Sequence, residues 1–91
     1  MRYYTTRIFD AGVRALPEVR KNRVKKALIL LSAFFETGTL PPGLGLKQLG
    51  HGFWEVRAGL RDRIVFLKEE ESVEFLLAGS HDDVRRFLKE Q

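Results

Sequence analysis

Between Leu40 and Leu46 the chain reads "LPPGLGL", two prolines and two glycines in seven residues, and neither a helix nor a central strand runs through such a stretch. Proline removes a backbone donor and clashes with the preceding turn, and glycine loses the most backbone freedom on ordering, so the segment is a connector. It is too short to link two domains, and on its two sides the period of the sequence changes. Upstream, Val24, Ala27, Leu28, Leu31 and Phe35 recur at helical spacing. Downstream, "FWEVRA", "RDRIVFLK" and "SVEFLLAG" are rich in the β-branched and aromatic residues of strands. Helices therefore collect early and strands late, the order of an α+β domain.

The remaining elements follow from local signals. "RYYTTRIF" alternates, so Arg2 to Phe9 is predicted as a first strand, with Asp10 placed to cap a helical segment. Pro17 followed by Glu18 suits the first turn of a long helix, which should end near Thr37 and Gly38. The three later strands are separated by Gly59 and by the acidic turn Glu69 to Glu71, short reversals that imply an antiparallel meander. In "HDDVRRFLKE" Val84, Phe87 and Leu88 share one helical face, which predicts a closing helix. The expected order is β, α, α, β, β, β, α. It describes an N-terminal strand and two helices packed on one face of a curled antiparallel sheet, plus a short C-terminal helix. A chain of 91 residues builds one hydrophobic core, so residues 1–91 are read as a single domain.

Composition narrows the chemistry. With no cysteine, disulfides, thiolate zinc sites and cysteine nucleophiles are excluded, in keeping with a reducing cytosol. "MRYYTTRIFD" lacks an apolar export core, and "ALILLSAFF" is about half of what a membrane-spanning helix needs. A soluble, cytoplasmic protein without a membrane partner is expected. The net charge is +4, and Arg14, Arg20, Lys21, Arg23, Lys25 and Lys26 are opposed in their stretch only by Glu18. This basic run is either a solvated helix face or the footprint of a polyanion, whose counterions such cations displace. The two histidines, His51 and His81, have no third ligand in pattern, so no metal site is expected.

Strand alternation sorts side chains by face. Trp54 and Val56 point one way, with Trp54 read as core, and Phe53, Glu55 and Arg57 point the other; Ile64 and Phe66 oppose Arg61, Arg63 and Val65. One face is apolar and the other gathers arginines, with Lys47 and His81 at its rim. Planar, permanently charged guanidinium groups suit phosphate recognition and the charge that develops during phosphoryl chemistry. Two readings stand for His81. Ser80 and Asp83 form a capping-box pattern that leaves His81 as an exposed first-turn residue; alternatively its imidazole, a group that ordinarily titrates at about pH 6.5, serves as general acid or base. Arg57 either holds phosphate or pairs with Glu55, and His51, in "LGHGF", has a turn position open to solvent.

A lysine shortly before a strand ending in "WEVR", a turn, a second strand "RIVF", then an apolar strand ending in Gly79 with a basic side chain at His81: this ordered set, clearest over residues 46 to 88, resembles the RelE/ParE superfamily of type II toxin–antitoxin toxins. Within it, the glycine-serine-histidine arrangement is similar to that of the YafQ-like messenger-RNA interferases. The resemblance implies a toxin that cleaves mRNA in the ribosomal A site, without metal or other cofactor, by attack of a ribose 2′-hydroxyl on the adjacent phosphate. It implies the ribosome and a cognate antitoxin as partners. His81 and Lys47 fall at positions of proton exchange, Arg57 and Arg63 at phosphate-holding ones, and Arg61, His51 and Phe87 are candidate RNA contacts. Phe87 stands where the archetype has a tyrosine, and a phenyl ring stacks or packs but exchanges no proton. The apolar width of "ALILLSAFF" would suit an amphipathic antitoxin segment. The same superfamily also implies an alternative, a ParE-like poison of DNA gyrase that performs no catalysis, or a degenerate member that only binds nucleic acid or antitoxin.

Overall fold

Thr6 stops the first strand earlier than alternation suggests. In the computed structural model, which describes residues 1–91, its Oγ1 accepts the Phe9 N–H at 3.0 Å and donates to the Leu76 carbonyl at 2.8 Å. Strand β1 is therefore Arg2–Thr5 and helix α1 is Arg7–Arg14. This corrects both the expected strand to Phe9 and the cap at Asp10. A threonine that satisfies an orphan helix N–H outweighs four further residues of β-like alternation. Asp10 instead lies inside α1, where Thr5 Oγ1 donates to its carboxylate at 3.1 Å.

Helix α2, Glu18–Thr37, starts behind Pro17 and ends at Gly38, whose φ of 75° and N–H bond to the Phe34 carbonyl close the last turn. The connector then leads into β2, Leu46–Gly50, a strand the sequence reading did not contain. "LKQLG" shows little alternation, and it pairs on one side only, at the sheet edge. What makes it a strand is the reversal after it: His51 and Gly52 both have positive φ, 54° and 84°, as a two-residue hairpin turn demands. The chain continues as β3 (Phe53–Ala58), β4 (Asp62–Lys68), β5 (Ser72–Gly79) and α3 (His81–Lys89). The observed order is thus β, α, α, β, β, β, β, α.

The open sheet runs β1-β5-β4-β3-β2, with β1 parallel to β5 and every other pair antiparallel. Helices α1 and α2 cover one face, where Phe9, Val24, Ala27 and Leu31 pack with Val56, Ile64, Phe66, Val73, Phe75 and Ala78. Helix α3 lies on the other face: the Phe87 ring meets the edge of Phe53, centroids 5.6 Å apart, and Phe53 alternates with the core-facing Trp54. Val65 and Val84 are buried but stand apart from the main cluster, which fits a second, smaller core under α3. No helix is long and apolar enough to cross a membrane.

Two polar devices fix the helices. On the α2 side, Arg20 donates twice to Asp62, Nε to Oδ2 at 2.9 Å and Nη2 to Oδ1 at 2.8 Å, which raises the guanidinium pKa further. Asp62 is only 1% exposed, so this bond compensates a carboxylate that water cannot reach. At α3, Ser80 Oγ accepts the Asp83 N–H at 3.1 Å, and Asp83 Oδ2 accepts the Ser80 N–H at 2.8 Å. That capping box, together with Arg86, holds the Asp83 carboxyl below its ordinary range; the Ser80 backbone N–H is the largest cause.

Because Asp83 titrates lower in the folded chain than in the unfolded one, its stabilisation is complete above the ordinary carboxyl range and disappears as pH falls through the folded value. Urea denaturation should therefore find Asp83→Asn less stable than the native chain at neutral pH and the gap closing in acid. Ser80→Ala should cost about 1 kcal/mol at neutral pH. Arg20→Met, which strands the buried Asp62, should lower the urea midpoint well beyond Arg14→Met, which strands nothing; equal midpoints would contradict the role given to the pair.

Candidate active site

The register of three strands assembles the site. Arg57 on β3 lies opposite Arg63 on β4, and Arg63 lies opposite Gly79 on β5. With adjacent strands about 4.8 Å apart, this row spans roughly 10 Å across the sheet. The neighbouring row is Lys47, Glu55, Val65 and Leu77. Lys47 therefore does not precede the sheet; it belongs to β2 and flanks the arginine row on the β2 side. His81 opens α3 two residues beyond Gly79 and flanks the row on the other side. Lys47, Arg57 and His81 are exposed.

An acidic side chain fixes one arginine of the row. Glu55 is 3% exposed, and its Oε2 accepts from Arg63 Nη1 at 3.1 Å. A carboxylate in such a position needs a hydrogen-bonded counter-charge, and the pair immobilises Arg63. The sequence allowed Glu55 to pair with Arg57, its neighbour two residues along; the structure gives the partner as Arg63 on the adjacent strand. The Arg57 stem instead runs beside Gly45, where an added Cβ would lie 3.4 Å from its Cβ, Cγ and Cδ. Neither Arg57 nor Lys47 forms an ion pair, since the three salt bridges involve Arg20, Arg63 and Arg86.

Gly79 ties this corner to the α3 cap. A Cβ there would sit 2.7 Å from Asp83 Oδ2, so a side chain at this point of the row would push the capping carboxylate away. The turn from β5 into α3 is consequently tight, and it delivers His81 directly from the strand end. In position, His81 is an exposed first-turn residue of α3, two residues beyond Gly79 at the β5 end of the arginine row.

The other candidates are distributed differently. Arg61 is exposed in the turn between β3 and β4, not on a strand, but at the same end of the sheet as Arg57 and Arg63. His51 occupies the opposite end of the β2–β3 hairpin, beyond Phe53, which itself stands four strand residues, or roughly 13 Å, from the row. Phe87 packs on Phe53 toward that same far end. The structure thus joins Lys47, Arg57, Arg61, Arg63 and His81 at one corner and does not join His51 or Phe87 to them. Glu55 was the residue missed as a site component. Its signal was present as the single acid of β3, on the face of Arg57 and between Trp54 and Val56. No group of three or more His, Asp or Glu side chains is arranged to hold a metal ion.

No family model matches the sequence, and no curated protein matches it. Solved structures do match, over nearly the whole chain. The RelB-RelE antitoxin-toxin complex from Methanococcus jannaschii aligns with a TM-score of 0.69 and 14% identity, covering 92% of this chain and 96% of that one. YafQ from E. coli strain BL21(DE3) aligns with a TM-score of 0.63 and 15% identity, covering 92% and 98%. The YoeB dimer from Staphylococcus aureus aligns with a TM-score of 0.69 and 17% identity, covering 89% and 97%. Likeness at these identities is likeness of fold: this chain has the fold of the RelE/ParE toxins, as its sequence pattern led us to expect.

The Glu55–Arg63 pair makes its own test. Arg63→Met should cost about 3 kcal/mol, because it leaves Glu55 buried without its counter-charge. Arg57→Met, an exposed and unpaired side chain, should cost under about 0.5 kcal/mol. In urea denaturation of the double-mutant cycle, adding Glu55→Gln to Arg63→Met should recover much of the loss. Simple addition of the two single effects would show that the pair is not coupled.

Proposed function

We propose that this chain is the toxin of a type II toxin–antitoxin pair and that it cuts messenger RNA as a metal-independent endoribonuclease. The observation that carries the reading is the arrangement of two proton-exchanging side chains on opposite flanks of a row of fixed positive charge. Displacement at phosphorus by a ribose 2′-oxygen proceeds in line, so the attacking oxygen and the departing 5′-oxygen lie on opposite sides of the phosphorus. An acid and a base serving them must therefore also stand on opposite sides, with cations about the equatorial oxygens between.

In this scheme Arg57 and Arg63 bind the non-bridging oxygens and stabilise the crowded phosphorane, with Arg63 pre-oriented by Glu55. His81 takes the proton of the 2′-hydroxyl as the new P–O bond forms. The Lys47 ammonium gives a proton to the 5′-oxygen as the old P–O bond breaks. The products are a 2′,3′-cyclic phosphate and a free 5′-hydroxyl, with no net change in protons. Arg61 holds the strand at the rim. His51 and Phe87, at the far end of the sheet, contact RNA away from the reacting phosphate, and Phe87 serves chiefly to seat α3.

The openness of the corner supports a further part of the proposal. Side chains this exposed do little to orient a flexible RNA, so alignment comes from outside, and the ribosomal A site is the supplier. The protein works in the cytoplasm under the control of a cognate antitoxin. The antitoxin–toxin complex among the structures of the same fold supports such a partner. So does the open apolar groove of Tyr3, Leu28, Ile29 and Phe75 beside α2, which suits an amphipathic antitoxin segment.

Addition of the chain to a translation extract, with mapping of mRNA ends, tests the enzyme. Cuts in register with codons are expected, falling by about 10²–10⁴-fold in His81→Ala. The variant's urea midpoint should remain near the native value, since His81 is exposed. Intact transcripts accompanied by gyrase-dependent DNA breaks in cells would overturn the ribonuclease in favour of a ParE-like poison.

A further inference from the structure

Around the edge of the sheet from the arginine row lies a second cationic feature, on the α2 side. Arg23 and Lys26 of α2 and Arg57 of β3 line a cavity of about 240 Å³, floored by Ala27, Leu30 and Ala58. No acidic side chain lines it, and none of the three cations forms a salt bridge. Three like charges held around one cavity repel each other, and a bound anion relieves that repulsion.

Two of the three stems are braced by glycine. At Gly59, whose φ is 93°, an added Cβ would stand 2.9 Å from the Arg23 Cδ; at Gly45 it would stand 3.4 Å from the Arg57 stem. The Arg23 guanidinium and the Arg57 stem thus lie along bare backbone, and less freedom remains to be lost when an anion arrives. Arg57 belongs both to this cavity and to the row of the candidate site. A ligand that uses Arg57 from both sides is therefore one that carries successive negative charges along a chain.

We propose that this cavity holds a phosphodiester of the RNA strand adjacent to the one at the Arg57–Arg63 row, so that the strand enters over α2. The proposal rests on the ribonuclease reading. It gives Arg23 and Lys26, residues remote from the reacting atoms, the task of setting the strand's register by binding its backbone.

The test uses a hexanucleotide RNA with every ribose 2′-O-methylated, which cannot be cut, and fluorescence anisotropy over a series of salt concentrations. Each phosphate contact to a single strand contributes about 0.7 to the slope of log affinity on log salt, so Arg23→Gln/Lys26→Gln, which removes the one contact proposed here, should flatten it by about 0.7. The exposed pair Arg85→Gln/Lys89→Gln removes the same charge from α3 and should leave the slope unchanged. An NMR titration with the 2′-O-methyl dinucleotide, which has a single phosphate, should give the same affinity for the native chain and the Arg23→Gln/Lys26→Gln variant. If the native chain binds the hexamer but both double variants flatten the slope alike, or neither does, the cavity has no such role. Equal losses on dinucleotide and hexamer would also overturn it. A native chain that binds no hexamer removes the ribonuclease reading itself, and the cavity proposal with it.

Discussion

The register of β4 is the constraint on which everything else depends. Its first two residues carry ion pairs on opposite faces of the sheet: Asp62 reaches Arg20 on the side of α2, and Arg63 reaches Glu55 on the side of α3. The next residues, Ile64, Val65 and Phe66, are buried on alternating faces, so the strand has no solvent side at its centre. A slip of one residue would turn Asp62 away from Arg20, set Arg63 into the main core and exchange Val65 for its neighbours. Two buried charges and three apolar side chains resist that slip together. The same register aligns Arg57, Arg63 and Gly79, and so the cationic corner is a by-product of the forces that hold the core.

What could be read from the chain alone was governed by period and punctuation. The face carrying Arg57 and Arg63 was legible because strand alternation is local arithmetic, and the ends of α2 were legible because Pro17 and Gly38 have backbone requirements of their own. The start of α1 was not, because "RYYTTRIF" satisfies a strand pattern throughout and the deciding event is one hydroxyl, that of Thr6, finding both a helix N–H and the Leu76 carbonyl. A partner 70 residues away leaves no local trace. β2 was missed for a similar reason, since a short edge strand draws its identity from the hairpin turn and from β3. The pairing of Glu55 with Arg63 depended on a diagonal contact between strands, which alternation along either strand does not reveal.

The two polar faces of the protein are also built on different principles. Toward α2, Arg20 is spent on Asp62, so a residue that counts as basic in the sequence adds no free charge there. Toward α3, Arg63 is likewise tied, but at the edge of an exposed patch where Lys47, Arg57 and Arg61 remain unpaired. The formal charge of +4 therefore understates how uneven the surface is. Each of Arg20, Arg63 and Arg86 is held by one carboxylate, while the remaining cations have no carboxylate partner within the chain.

The parallel pairing of β1 with β5 matches Arg2 to Ser72 and Thr5 to Phe75, joining the start of the chain to its final quarter. During synthesis β1 emerges early and waits without a neighbour until most of the polypeptide has followed. Gly79 and His81 come later still. Contacts of such long sequence separation are made late and slowly, so an incomplete chain has neither a finished sheet nor a corner to work with. The order of assembly is thus built into the strand order, and β1 gains its neighbour only after β5 has left the ribosome.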